Sequence, residues 1–110
     1  MIVRVWKGQS TAENVSAYLQ HVTRSVFPSL KNIAGFRGSY VLRRDIEGGV
    51  EVVVATIWDS MSAVRKFAGE EPERAVVEPQ ARILLTRYED TVRHFEVAHQ
   101  ELSRPEPSCS

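Results

Sequence analysis

The sequence has three histidines, His21, His94 and His99, the residue type whose ordinary pKa lies nearest neutrality. An imidazole in that range is suited to taking and returning protons. No two of them share an i, i+4 spacing and none has a cysteine neighbour, so the pattern points to proton chemistry and no dedicated metal site is expected. His94 is the candidate general base. On a regular strand its side chain points the same way as Val92 and away from Phe95. A buried structural histidine, bonded to backbone or to a carboxylate, would sit in the same place.

Trp6, Tyr40, Trp58 and Phe67 are the candidate walls of an aromatic pocket, in which a planar ligand gains stacking and apolar burial. Core packing accounts for the same residues. Trp58 leaves a strand and enters a helix, a position that also suits a wedge between sheet and helix. Arg4, Arg37, Arg43 and Arg44 are candidates for holding an oxyanion or an acidic substituent, although Arg43 and Arg44 border a hairpin turn where charge is normally solvated. No Ser or Cys sits in an elbow such as Gly-x-Ser-x-Gly, and no Gly-rich phosphate or dinucleotide loop occurs.

The elements that must position these groups follow from periodicity. Ile2–Lys7 is β-branched and aromatic, and reads as a first strand broken at Gly8. Ser10-Thr11-Ala12-Glu13 has the spacing of a capping box, which predicts a helix from about Thr11. Val15, Tyr18, Leu19, Val22 and Val26 lie on one face of that helix, and Pro28 is expected to end it. Gly35–Arg44, a turn at Asp45–Gly49 and Val50–Trp58 read as an antiparallel hairpin whose tight turn takes its positive φ angles from Gly48 and Gly49.

Asp59 or Ser60 can cap a second helix, with Met61, Val64, Phe67 and Ala68 inward and Gly69 as its stop. Between Glu70 and Glu89 the pattern weakens, and Pro72 and Pro79 can each open a short helical turn. Thr91–Ala98 reads as a fourth strand. Residues 1–98 are thus one domain, and 99–110 a flexible tail.

Hydrophobic residues make up 43% and charged residues 25% of the 110, which fits one folded domain and excludes wholesale disorder. Fourteen basic and fourteen acidic side chains cancel, so no field steers the chain to nucleic acid or to an acidic membrane. Gly35–Val41 carries some of the aromatic pattern of an RNA-recognition motif. That motif belongs on strand three, where this chain has Val52-Val53-Val54. The single Cys109 offers no disulfide framework, and no apolar run is long enough to cross a bilayer or to form an export signal. A cytoplasmic location is the expectation.

The order β-α-β-β-α-β predicts an α+β, ferredoxin-like antiparallel sheet with both helices on one face. Strand three is apolar on both faces from Val52 to Ile57, so its second side needs a cover. A second copy of the chain is the most economical one, giving a homodimer; the alternative is that Glu70–Glu89 folds over that face.

Four features together resemble the antibiotic biosynthesis monooxygenase family of dimeric α/β-barrel proteins. They are the βαββαβ order, the junction Val54–Ser60 with Phe67-Ala68-Gly69 behind it, Gly35-Phe36 opening strand two, and Val92–Val97 near the end. The resemblance implies a homodimer with a small-molecule pocket between sheet and helices. Some members of the family oxygenate aromatic or quinol-type substrates without metal or flavin and others degrade haem. The expectation is cofactor-free oxygenation of a small aromatic or quinol-type ligand, for which His94 is the candidate base, with a non-catalytic binding or structural barrel as the alternative. The haem-degrading branch of the family carries an Asn on strand one, a Trp in the helix after strand three and a His beyond it. Here strand one has no Asn, the helix position is nearest Phe67, and the later segment reads Glu73–Glu78, so no haem or other cofactor is expected.

Overall fold

Residues that alternate or branch at Cβ build a sheet at the centre of the chain, and the computed structural model describes residues 1–103 of it. The strands are β1 (Ile2–Ser10), β2 (Phe36–Ile46), β3 (Gly49–Trp58), β4 (Leu85–Tyr88) and β5 (Arg93–Glu96). They run β2-β3-β1, and the place beyond β1 is shared: β4 pairs with Gly8–Ser10 and β5 with Ile2–Val5, all antiparallel. The helices are α1 (Val15–His21), α2 (Phe27–Leu30), α3 (Met61–Ala68) and α4 (Pro79–Arg82). The fold is α+β and ferredoxin-like, with the helices on one face of the sheet. Among the described residues no helix is long and apolar enough to cross a membrane.

Several local expectations are corrected by longer-range bonds. Ser10 does not cap a helix. It remains in β1, buried, and its hydroxyl donates to Leu84 O at 2.6 Å. α1 therefore begins later, at Val15, where Thr11 Oγ1 accepts from the Asn14 N–H at 3.0 Å. Pro28 does not end the helical run either. A π-helical turn over Val22–Val26 precedes it, with the Phe27 N–H donating back to Val22 O, and Pro28 falls in the first turn of α2, where a missing N–H is tolerated. The hairpin turn takes a positive φ at Gly48 (81°) and not at Gly49.

The fourth strand, expected over Thr91–Ala98, is confined to Arg93–Glu96, and β4 was hidden in the weakly patterned stretch before it. α3 follows expectation. Ser60 Oγ accepts from the Ala63 N–H at 3.2 Å, and Gly69 closes the helix with its N–H on Arg65 O at 2.8 Å. Pro79 opens α4 as anticipated. The tail expected from His99 lies in part outside the described residues, as does Cys109.

Alternation along β3 places Val50, Val52, Thr56 and Trp58 against the helices, all buried. One core cluster joins Val15, Tyr18 and Val22 of the first helical run to Val50, Val52 and Ala81. The other joins Leu30, Trp58, Ala63 and Val64. Trp58 is 0% exposed, and its indole N–H donates to Thr56 Oγ1 at 2.8 Å, which satisfies a hydroxyl inside the core. The segment after α3 packs on this same helical side. It brings Val76, Val77 and Ala81 toward α1, so it does not cover the opposite face.

Gly35 makes the approach of β2 to α3 possible. Its φ is 91°, and a Cβ there would lie 2.5 Å from Ala63 Cβ. Gly35→Ala should destabilise the fold by about 1–2 kcal/mol of left-handed backbone strain and about 1–3 kcal/mol of overpacking. Urea unfolding checks this: a lower midpoint with an unchanged slope is expected, and an unmoved midpoint would contradict the close approach.

Candidate functional site

The even-numbered residues of β1 face the helices, so Arg4 and Trp6 rise from the sheet beneath α1. Together with Val54 and Thr56 of β3 they floor a cavity of about 100 Å³. Tyr18, His21 and Val22 stand at i, i+3 and i+4 on the helix above and form its roof. Phe67 of α3 closes one end, and Val76, Val77 and Glu78 close a side. The volume approaches the roughly 150 Å³ of an apolar cavity that accepts benzene, which sets its scale at one aromatic ring.

Trp6 is fixed at both ends of its ring system. Its indole N–H donates to Glu89 O at 2.8 Å. The six-membered ring lies back along β1 over Gly8, where a Cβ would stand 2.7 Å from Cη2. Phe67 is fixed from below, stacked on Trp58 with centroids 5.7 Å apart and planes 20° from parallel.

Arg4 is 5% exposed. Its Nη1 donates to Pro72 O and to His94 Nε2, the latter at 3.0 Å, and its Nη2 donates to Arg74 O at 3.0 Å. The guanidinium carbon lies 5.6 Å from the centroid of Phe67. Burial pulls its pKa down to about 10, opposed by the charge of Glu73, so it stays protonated at neutral pH. The other three arginines singled out in the sequence have carboxylates beside them. Arg37 holds Asp59 through two bonds, Arg44 holds Glu51 through two, and Arg43 is 3.9 Å from Asp45. Arg4 has carbonyls and an imidazole instead.

An arginine cannot accept, so the contact fixes His94 with a bare Nε2 and its proton on Nδ1. Burial first, and the Arg4 charge second, hold this imidazole below its usual pKa, while Glu73 acts the other way. His94 is thus a neutral acceptor behind Arg4 and does not line the cavity. His21 does line it. Its Nε2 is buried and lies 3.4 Å from Glu78 Oε2, close enough for a charge contact but without hydrogen-bond geometry. Tyr18 is held in its protonated form, burial pushing its hydroxyl above the ordinary phenol range.

Of the aromatic residues singled out in the sequence, the structure brings Trp6 and Phe67 to the cavity wall. Trp58 lies beneath Phe67 in the core, edge-on to Phe36 with centroids 5.3 Å apart. Tyr40 is 53% exposed and pairs across the sheet with Ala55, on the face away from the helices. Sequence reasoning missed His21, Tyr18 and Thr56 as lining residues. The signal for the first two was the i, i+3 spacing from Tyr18 on a helix face already read as core.

The antibiotic biosynthesis monooxygenase family model matches residues 1–79. No curated protein matches the chain. Among solved structures, the chain is similar to a Bacillus cereus protein provisionally described as an antibiotic biosynthesis monooxygenase (15% identity, 94% of this chain and 97% of that one, TM-score 0.65). A Deinococcus radiodurans protein with the same provisional description is 13% identical over 94% and 99% of the two chains, with a TM-score of 0.61. The heme-degrader MhuD from Mycobacterium tuberculosis, with two hemes bound in its active site, is 19% identical over 92% and 99%, with a TM-score of 0.59. At these identities the structures share a fold, and the family assignment rests on the sequence model, which covers more than half of the chain: the protein belongs to the antibiotic biosynthesis monooxygenase family.

Proposed function

We propose that the protein is a cofactor-independent, monooxygenase-type enzyme acting on a single-ring phenol or quinol. The observation that carries this reading is a ring-sized cavity lined by Trp6 and Phe67 with one imidazole, that of His21, in its wall, its Nε2 making no hydrogen bond and lying 3.4 Å from Glu78 Oε2. His21 takes the phenolic proton. The resulting anion is electron-rich enough to reduce dioxygen itself: one electron passes to dioxygen, and the radical pair joins to form a ring carbon to oxygen bond. Loss of the proton on that carbon then drives cleavage of the oxygen–oxygen bond. Phenol and dioxygen thereby give quinone and water, all four electrons coming from the substrate. Tyr18, kept protonated, excludes a competing anion from the cavity.

Haem, which the Mycobacterium tuberculosis relative holds, does not fit the residues present. The cavity is one ring in size, Val76 and Val77 offer no iron ligand, and the imidazole in its wall faces Glu78. The partner we propose is a second copy of the chain. Val5, Val53 and Ile57 lie on the sheet face that no helix among the described residues covers, flanked by Leu42 and Phe95, each about half exposed. That is an apolar surface of the kind that marks an interface.

Oxygen uptake by chelator-treated protein with single-ring phenols and quinols tests the enzyme. His21→Gln should lower the rate by roughly 10²–10⁴-fold in a folded protein, the range for a lost general base. Ligand binding without uptake would make the protein a binding module. Added haem should give no lasting Soret band and no bilin under reducing conditions. Sedimentation should find a dimer, and Val53→Lys should give folded monomer, because a buried unpaired charge costs an interface several kcal/mol. A monomeric wild-type protein would overturn the assembly.

A further inference from the structure

We infer that Arg4 is the anchor for the charged oxygen of the ligand, so that the cavity takes its aromatic ligand as a phenolate, held by the guanidinium. This deepens the reading of the same cavity given above and rests on it. A guanidinium carries five N–H donors. Three of those of Arg4 are committed, to Pro72 O, Arg74 O and His94 Nε2; the Nε–H and one Nη2–H have no partner among the described residues. All three acceptors are neutral groups. A cation this deeply buried without a paired carboxylate carries a desolvation cost that an opposite charge offsets well. Glu73 is close enough to oppose the effect of burial on Arg4, yet makes no ion pair with it.

The ring-sized space beside Arg4 is the place from which the missing charge must come. Its walls set the rest of the ligand. Trp6 and Phe67 contribute aromatic surface to its lining, and a charged oxygen at the ligand's ring edge meets donors already held in place. His94 is a positioning residue in this arrangement. With Nε2 bare it holds Arg4 from behind, and being neutral it adds no second positive charge to repel the guanidinium.

The test reads binding, with no turnover. 4-Nitrophenol changes its absorption on ionising, so a spectrophotometric pH titration of the bound probe reports its own pKa, with nitrobenzene as the neutral ring of similar shape. Wild-type protein should bind the probe as the anion, with a bound pKa below that of the free probe. Arg4→Met should weaken 4-nitrophenolate about 10–100-fold, the range for charge-assisted bonds, and leave nitrobenzene within about threefold. Arg4→Lys, which keeps the charge and loses the planar fork, should fall between.

His94→Leu should raise the bound pKa, and His94→Gln, which restores an acceptor, should recover part of the shift. The wild-type titration stands even if a variant fails to fold. A bound pKa at or above the free value, or nitrobenzene binding as tightly as the anion, overturns the role of Arg4 and leaves the aromatic cavity intact. Failure of both probes to bind overturns the cavity reading itself. Anion binding in a protein that consumes no oxygen would keep Arg4 as anchor and discard the oxygenase.

Discussion

The burial of one positive charge on the central strand governs how the remainder of the chain is laid down. Arg4 enters the interior from β1 and must find acceptors there, because leaving even one such donor set unmet costs several kcal/mol. Besides His94 Nε2 it finds two backbone carbonyls, Pro72 O and Arg74 O, in a segment with little regular structure of its own. That segment is thereby drawn across the helical side of the sheet. Its neighbours extend the tie: Ala75 N–H donates to Asp90 O and Val92 N–H to Glu73 O, both at 2.8 Å, and Arg74 bridges Thr91. β5 is delivered to the edge of β1 by those bonds, and with it His94. The cation, the connection and the last strand form one unit.

The second constraint is that β3 is apolar on both sides while the chain has helices for only one. On the helical side, Thr56 is the exception to an otherwise apolar row, and Trp58 N–H resolves it two residues away along the same strand. The Glu70–Glu89 segment packs on the helical side and not over the other face. Arg4 holds it on the first side. Among the described residues, Val53 and Ile57 are thus left on the face away from the helices, and the interior charge decides which face that is.

What the sequence made legible was whatever depends on neighbours in the chain. β1, β3, the hairpin, α3 with its Ser60 cap and the opening of α4 at Pro79 follow from local alternation, capping and turn chemistry. The failures came where a distant partner outbid a local one. Ser10 had a capping box available to it and instead donates to Leu84, 74 residues away. Pro28 had the form of a stop signal, which a π-helical turn made into the start of another turn of helix. β4, with only four residues, carries too little alternation to register as a strand.

The site divides in the same way. Trp6 and Phe67 could be named from residue type, but alternation does not say which face is which, and a bulge between Phe36 and Gly38 helps set the phase that turns Tyr40 outward. The meeting of Arg4 with His94 joins residues 90 apart, a pairing that no local pattern encodes.

Within the proposed reaction, Arg4 has two opposed effects whose balance explains its unusual surroundings. A positive charge beside the phenolic oxygen favours ionisation, and so raises the share of ligand in the reactive form. The same charge stabilises the electrons that the anion must give to dioxygen, and a close, fully free guanidinium would make it a poor reductant. Three neutral acceptors already draw on the donors of Arg4, and the face of Phe67 lies 5.6 Å away, so the ligand meets a cation whose bonding capacity is partly spent. A carboxylate in place of those carbonyls would cancel the charge and lose the ionisation. Solvated guanidinium would screen it and lose the selectivity. Neutral, rigid acceptors leave enough charge to pull a proton off the ligand toward His21 while limiting how tightly the anion is held, and this is the condition under which an electron-rich ring can still pass an electron to dioxygen.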